Sequence, residues 1–206
     1  MRPWNEIDWD QPRPSLRELI DSWPSITWEP SPIDHPAFDL YVDEVRAVYS
    51  NGGCLVGRWR ATSYSDTTAW FMSRNRLDEY EMQRVLLDHP TVRDDLAELK
   101  IPAVLDRMPG GLEEQAGGSL LLDGLLARAL TLGGAYDNYP GTAAAAKALA
   151  HEAVVALTEE RYEDFRLDTT YLAWTPWFFD IAWDNTLVLT DMAKAEMTVI
   201  CMTDTD

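Results

Sequence analysis

Histidine, cysteine and basic side chains are scarce in this 206-residue chain. The three histidines, His35, His89 and His151, form no HExxH and have no ligand-spaced partner. Two of them stand in "DHP" (34–36 and 88–90), where an aspartate and a proline suit entry into a helix. Cys54 and Cys201 lie far apart in apolar runs and make no CxxC, so zinc and iron–sulfur chemistry lack support. They read as small buried hydrophobes of a reducing compartment. GxSxG, GxGxxG and P-loop patterns are missing too, and no cofactor or metal is expected. The most apolar stretch, "SLLLDGLLARALTLGG" (119–134), contains Asp123 and Arg128 and is too short to span a bilayer. "MRPWNEIDWDQPRP" has no apolar core of a signal peptide. The expectation is a soluble, cytoplasmic protein.

The shortage of positive charge is the strongest global signal: 17 Lys and Arg stand against 35 Asp and Glu, a formal net charge of −18. The excess is uneven. Residues 1–45 hold ten acids and three bases, and residues 148–206 hold twelve acids and three bases. The middle, with thirteen acids and eleven bases, is close to balance. Nucleic acid and anionic membrane are disfavoured as ligands, because phosphate would be repelled. A basic protein would be attracted and steered in. Acidity that only maintains solubility is the bland alternative.

What is abundant is apolar and aromatic: 46% of residues are hydrophobic and nine are tryptophan, ample for a core. Residues 1–36 carry seven of the twelve prolines together with Trp4, Trp9, Trp23 and Trp28. They read as an extended arm, pinned by its tryptophans, ahead of a single domain over 37–206. Within the arm, "SLRELIDSW" (15–23) predicts a helix with Ser15 and Glu18 as a capping box. Pro36 opens a second helix with an apolar stripe at Phe38, Tyr41, Val42, Val45 and Val48. "CLVGRWR" (54–60) and "TTAWFMS" (67–73) read as the strands of a hairpin. Short helices are expected over 76–88 and 91–100, and a flexible connection over 108–118. Two longer helices follow, over 119–132 and, capped by Thr142, over 143–163. The last forty residues turn to period two, so the whole predicts an α+β fold with a C-terminal β-hairpin.

Near the C-terminus, "WFFDIAWDNTLVLTD" (177–191) sets three aspartates among large apolar residues. As a strand over 178–191 it places Phe179, Ile181, Trp183, Leu187 and Leu189 on one face. Asp180, Asp184 and Thr186 fall on the other, with Asp184-Asn185 as a bulge or turn. On a helix, Asp180 and Asp184 would be about 6 Å apart at Cβ and could share an ion. On a strand they lie roughly 13 Å apart, too far for a dyad. The aspartates then form an acidic row on a wet sheet face.

The block "WFFDIAWDNTLVLTD…VICMTDTD", on a small, acidic, tryptophan-rich chain, resembles the immunity proteins that accompany bacterial polymorphic toxins. The resemblance covers the last thirty residues and the overall character, and transfers no site. It implies a stoichiometric inhibitor that occludes a basic partner protein, such as a toxin domain. Trp4, Asp8, Trp9, Asp10, Asp180, Asp184, Asp204 and Asp206 are the candidate contact residues, aromatic anchors among carboxylates. A metal-assisted hydrolase using Asp137, Asp180, Asp184 and Asp191, or a structural subunit without catalysis, are the alternatives.

Overall fold

The computed structural model describes residues 2–76, 81–105 and 111–206. Its centre is one six-stranded sheet, antiparallel at every pairing, in the order β1-β2-β6-β5-β4-β3. The strands are β1 Thr27–Pro30, β2 Gly53–Ser63, β3 Glu113–Glu114, β4 Phe165–Thr170, β5 Asn185–Asp191 and β6 Glu196–Thr203. Helices cover both faces. On one lie α2 (Pro36–Val48), α6 (Leu122–Leu132) and α7 (Ala143–Thr158), packed on Leu167, Leu187, Leu189, Ile200 and Met202. On the other, α3 (Asp66–Met72), α4 (Met82–Asp88) and α5 (Pro90–Asp95) pack with Trp4 and Trp28 on Trp59, Val188, Val199 and Cys201. A short helix, α1 (Leu16–Ser22), leans on α3 through Leu19, Trp70 and Phe71. The α+β class and the C-terminal hairpin, β5 on β6, are as expected.

Local chemistry explains the helices that the sequence announces. Ser15 and Glu18 close both halves of the capping box of α1. Pro36 occupies the first turn of α2, and its stripe from Phe38 to Val48 is buried. Thr142 accepts the amide of Ala145 to start α7, which stops at Thr158 where Glu159 and Glu160 turn left-handed, five residues short of the expected end. The helix expected from 119 begins at Leu122, after a 3-10 turn over Gly118–Leu121.

Three expectations are corrected. The segment 67–73 is a helix, not the second strand of a hairpin. Ser65 accepts the amide of Thr68, Asp66 sits in the first turn, and Thr68 to Met72 are buried on every side, so no polar–apolar alternation is present. The β-prone run Trp70-Phe71-Met72 is overruled by that cap and by burial. The strand expected over 178–191 starts only at Asn185, because Asp180 takes φ +60° and 177–184 form turns. Finally, the connection over 108–118 is partly ordered: Glu113 and Glu114 pair with Thr169 and Asp168 as the edge strand β3, while 106–110 lie outside the described residues, as do 77–80 of the helix expected over 76–88.

The arm over 1–36 is tied into this frame. Its β1 is an edge strand on β2, with Trp28 opposite Ala61 and Pro30 opposite Trp59. The last bond of that pairing runs from Ser31 N to Arg58 O at 2.8 Å. Pro32 has no N–H to continue it, and the chain leaves for α2.

Candidate partner-binding site

Of the C-terminal carboxylates expected as contacts, Asp180 and Asp206 are exposed while Asp184 and Asp204 are interior. Asp184 and Asp204 have no exposed surface at all, and Asp168, Asp191 and Glu196 are buried with them. Each is satisfied locally, as buried charge requires. Asp184 accepts from the amide of Ile181 at 3.1 Å and from the Thr203 hydroxyl. Asp204 accepts the amides of Asn51 at 2.8 Å and Ala135 at 2.6 Å, tying two loops to the end of β6. Asp191 binds Arg161 and caps the β5–β6 turn through the amides of Ala193 and Lys194. Glu196 accepts from Ser31 and Arg60. Asp168 faces Arg166 in a bidentate pair, and burial holds its carboxyl above the ordinary range in spite of that guanidinium. The parity itself holds within β5, since Leu187 and Leu189 face one core and Val188 the other. Both faces are covered, so the polar side of the strand is not the wet side.

Of the two N-terminal tryptophans proposed as contacts, Trp4 is core, fully buried against Trp28 and Tyr64. Trp9 is 79% exposed, the only exposed tryptophan of the nine. Its loop is strapped to α3, because Arg74 donates to Asp8 O at 2.8 Å and stacks on Trp70, while Trp70 Nε1 donates to Gln11 O. Asp8 and Asp10 are exposed beside it, with Arg2 3.6 Å from Asp8. Arg2 and Arg74 balance the charge of Asp8 locally.

The expected contact residues also divide between two ends of the sheet. Asn5 bonds Asp164, just ahead of β4, and Tyr64, just past β2, bonds Arg2 O. Asp180 and Asp206 are exposed and belong to the other end, before β5 and after β6. A seven-residue strand separates the ends by about 20 Å. The alternative ligand set does not converge: Asp191 and Asp184 bracket β5, and Asp137 accepts from Ser50 at 2.6 Å. Among the described residues, no group of three His, Cys, Asp or Glu is arranged to hold a metal ion.

The structure brings together a site that the sequence reading missed. A groove of about 470 Å³ runs between α2 and β2, lined by Ile33, Phe38, Val42 and Val56, with Asp39 and Asp43 on its rim. A second cleft of about 270 Å³ continues along the start of β2 and shares Arg46 with the first. Asp39 and Asp43 are one helical turn apart, exposed, and without an ion pair among the described residues. Both nearby arginines are committed to backbone: Arg46 Nε donates to Cys54 O at 3.1 Å, and Arg58 to Ser31 O and Pro32 O. Both arginines line the groove and keep their charge, Arg58 beside Glu196 at 4.0 Å, but among the described residues neither forms an ion pair with Asp39 or Asp43. The sequence signal of the groove was the i, i+4 aspartate pair on the polar side of the stripe of α2, hidden among the other acids of residues 1–45.

Neither thiol offers chemistry here. Burial pushes Cys54 and Cys201 up to about 12, so both stay protonated and unreactive near neutrality. Among the described residues, no helix is long and apolar enough to cross a membrane. No protein-family model matches the chain, and neither a curated protein nor a solved structure matches it at a significant level.

Proposed function

We propose that this protein is a binding module for a basic protein partner, an inhibitor of the immunity type, and that the groove between α2 and β2 receives the partner. The observation that carries the reading is the pair Asp39 and Asp43: two exposed carboxylates with no ion pair among the described residues, on the rim of a groove of about 470 Å³, above an apolar floor. An apolar floor with a charged rim suits a partner side chain that is aliphatic along its stem and cationic at its tip. Lysine and arginine are such side chains. Inhibition then works by occlusion, with the inhibitor lying over a basic surface and no bond made or broken.

The structure also moves the acidity. Five of the twelve carboxylates in residues 148–206 are buried and committed to arginines, hydroxyls or backbone amides. The acid left for a partner is concentrated nearer the N-terminus, including the outer side of α2. Asp8, Trp9 and Asp10 at one end, and Asp180 and Asp206 at the other, remain accessible as secondary contacts.

The test is capture of partners from the native cells by the wild-type protein and by a double variant, Asp39→Lys with Asp43→Lys, followed by affinity measurements with the purified partner. A basic partner held at low salt and lost by the variant is expected. Equal affinity and equal salt dependence for both proteins would remove the groove from the account.

A further inference from the structure

From the way β2 outruns its neighbour, we infer that its free edge takes up an extended segment of the partner as an added antiparallel strand. This rests on the reading of the groove as the partner site and names how it is occupied. On its inner side β2 pairs with β6 from Gly53 to Arg60. On its outer side the pairing with β1 ends at Trp59, with one further bond to Arg58 O. Among the described residues, no strand covers that side from Gly53 to Gly57.

Alternation along an antiparallel strand settles which groups are open. Arg58 O points outward, so Val56 and Cys54, two and four residues earlier, also turn their N–H and C=O outward. Leu55 and Gly57 turn theirs inward to β6. Ahead of Arg58, whose carbonyl bonds Ser31 N, the outward carbonyl of Cys54 is taken by Arg46. A charged side chain laid on an open edge is a common guard against indiscriminate pairing. The two clefts lie along this edge, the smaller at Gly52 to Leu55 and the larger at Val56 to Arg58. An incoming strand therefore finds unpaired backbone groups and, beside them, room for its side chains.

The side chains select the occupant. An added strand sends alternate residues to the α2 side, onto Phe38, Val42 and Val56 and within reach of Asp39 and Asp43. A segment with lysine or arginine in alternation with β-branched residues meets both demands, pairing its backbone with β2 and its charge with α2.

The probe is the capped peptide acetyl-Lys-Val-Lys-Val-Thr-Val-Lys-amide, titrated into the full-length protein with amide exchange read residue by residue. The expected pattern is periodic: exchange at Cys54 and Val56 slows about tenfold or more, while Leu55 and Gly57, already bonded to β6, do not change. Methylating the peptide nitrogens on one alternate set should abolish binding, and methylating the other set should leave it. Protection without alternation, tolerance of both methylated peptides, or no binding at millimolar peptide would overturn strand addition. The double variant Asp39→Lys with Asp43→Lys separates the two claims. Alternating protection with undiminished affinity keeps strand addition and removes the preference for a basic partner; reduced affinity without alternation does the reverse. Sedimentation that shows a dimer with the same protection in the absence of peptide would assign the edge to a second copy, against the proposal.

Discussion

The Thr203 hydroxyl donates its hydrogen bond to the Asp184 carboxylate, joining the residue before β5 to the last residue of β6 beneath the surface. That contact, with the amide of Ile181, makes Asp184 a clamp on the end of the hairpin. Asp184→Ala should destabilise the fold by about 3 kcal/mol, since it strands a buried hydroxyl and an amide together. Asp180→Ala, at an exposed turn, should stay within about 0.5 kcal/mol. Equilibrium urea unfolding of both variants checks the difference.

Trp4 and Trp9, five residues apart, should separate as cleanly. Trp4→Ala removes a fully buried ring and should cost about 3–5 kcal/mol. Trp9→Ala should leave the melting temperature nearly unchanged and reduce partner affinity less than reversal of Asp39 and Asp43 does. Calorimetric melting and binding isotherms on the three proteins decide it. A Trp9→Ala protein that folds normally and loses all binding would shift the site to the N-terminal loop.

The thiols give a pH signature. A folded-state value raised to about 12 from about 9 means that the native state holds these protons more tightly than the unfolded state. Stability contributed by the thiols is complete below pH 9 and declines as pH rises towards 12, by up to about 1.4 kcal/mol per pH unit for each. The fall should be shallower when both are replaced, Cys54→Ala with Cys201→Ala. Below pH 8, a thiol reagent should label the native protein only at the rate of global unfolding.

Helix α3 provides a test of why the run at 67–73 folds as it does. If Ser65 decides the local structure by accepting the Thr68 amide, Ser65→Ala should cost about 1 kcal/mol, while Ser65→Asp should keep most of it. Unfolding curves of the two variants measure the cap directly.

These particulars show what was legible in the sequence. The capping box at Ser15, the proline start and stripe of α2, the Thr142 cap of α7 and the β5–β6 hairpin all follow from short-range chemistry, and all are present. The errors share a physical cause. Period two reports which way side chains point, not whether water waits there, and a sheet with helices on both faces buries Thr186, Thr190 and Asp191 along with Val188. Charge counted along the chain fails likewise, because Arg60 reaches Glu196 across 136 residues to neutralise an acid counted in the C-terminal excess. The groove was invisible because it depends on where β1 stops relative to β2. That is a matter of register between strands thirty residues apart, of which only the prolines at 30 and 32 gave a hint.

The most direct measurement is the affinity of the purified partner for the wild-type protein and for the Asp39→Lys, Asp43→Lys variant, each at low and high salt. The account predicts a loss of about tenfold or more at low salt, with a smaller gap at high salt as the charges are screened. Equal affinities at both salt concentrations, in a variant shown to be folded, would contradict it.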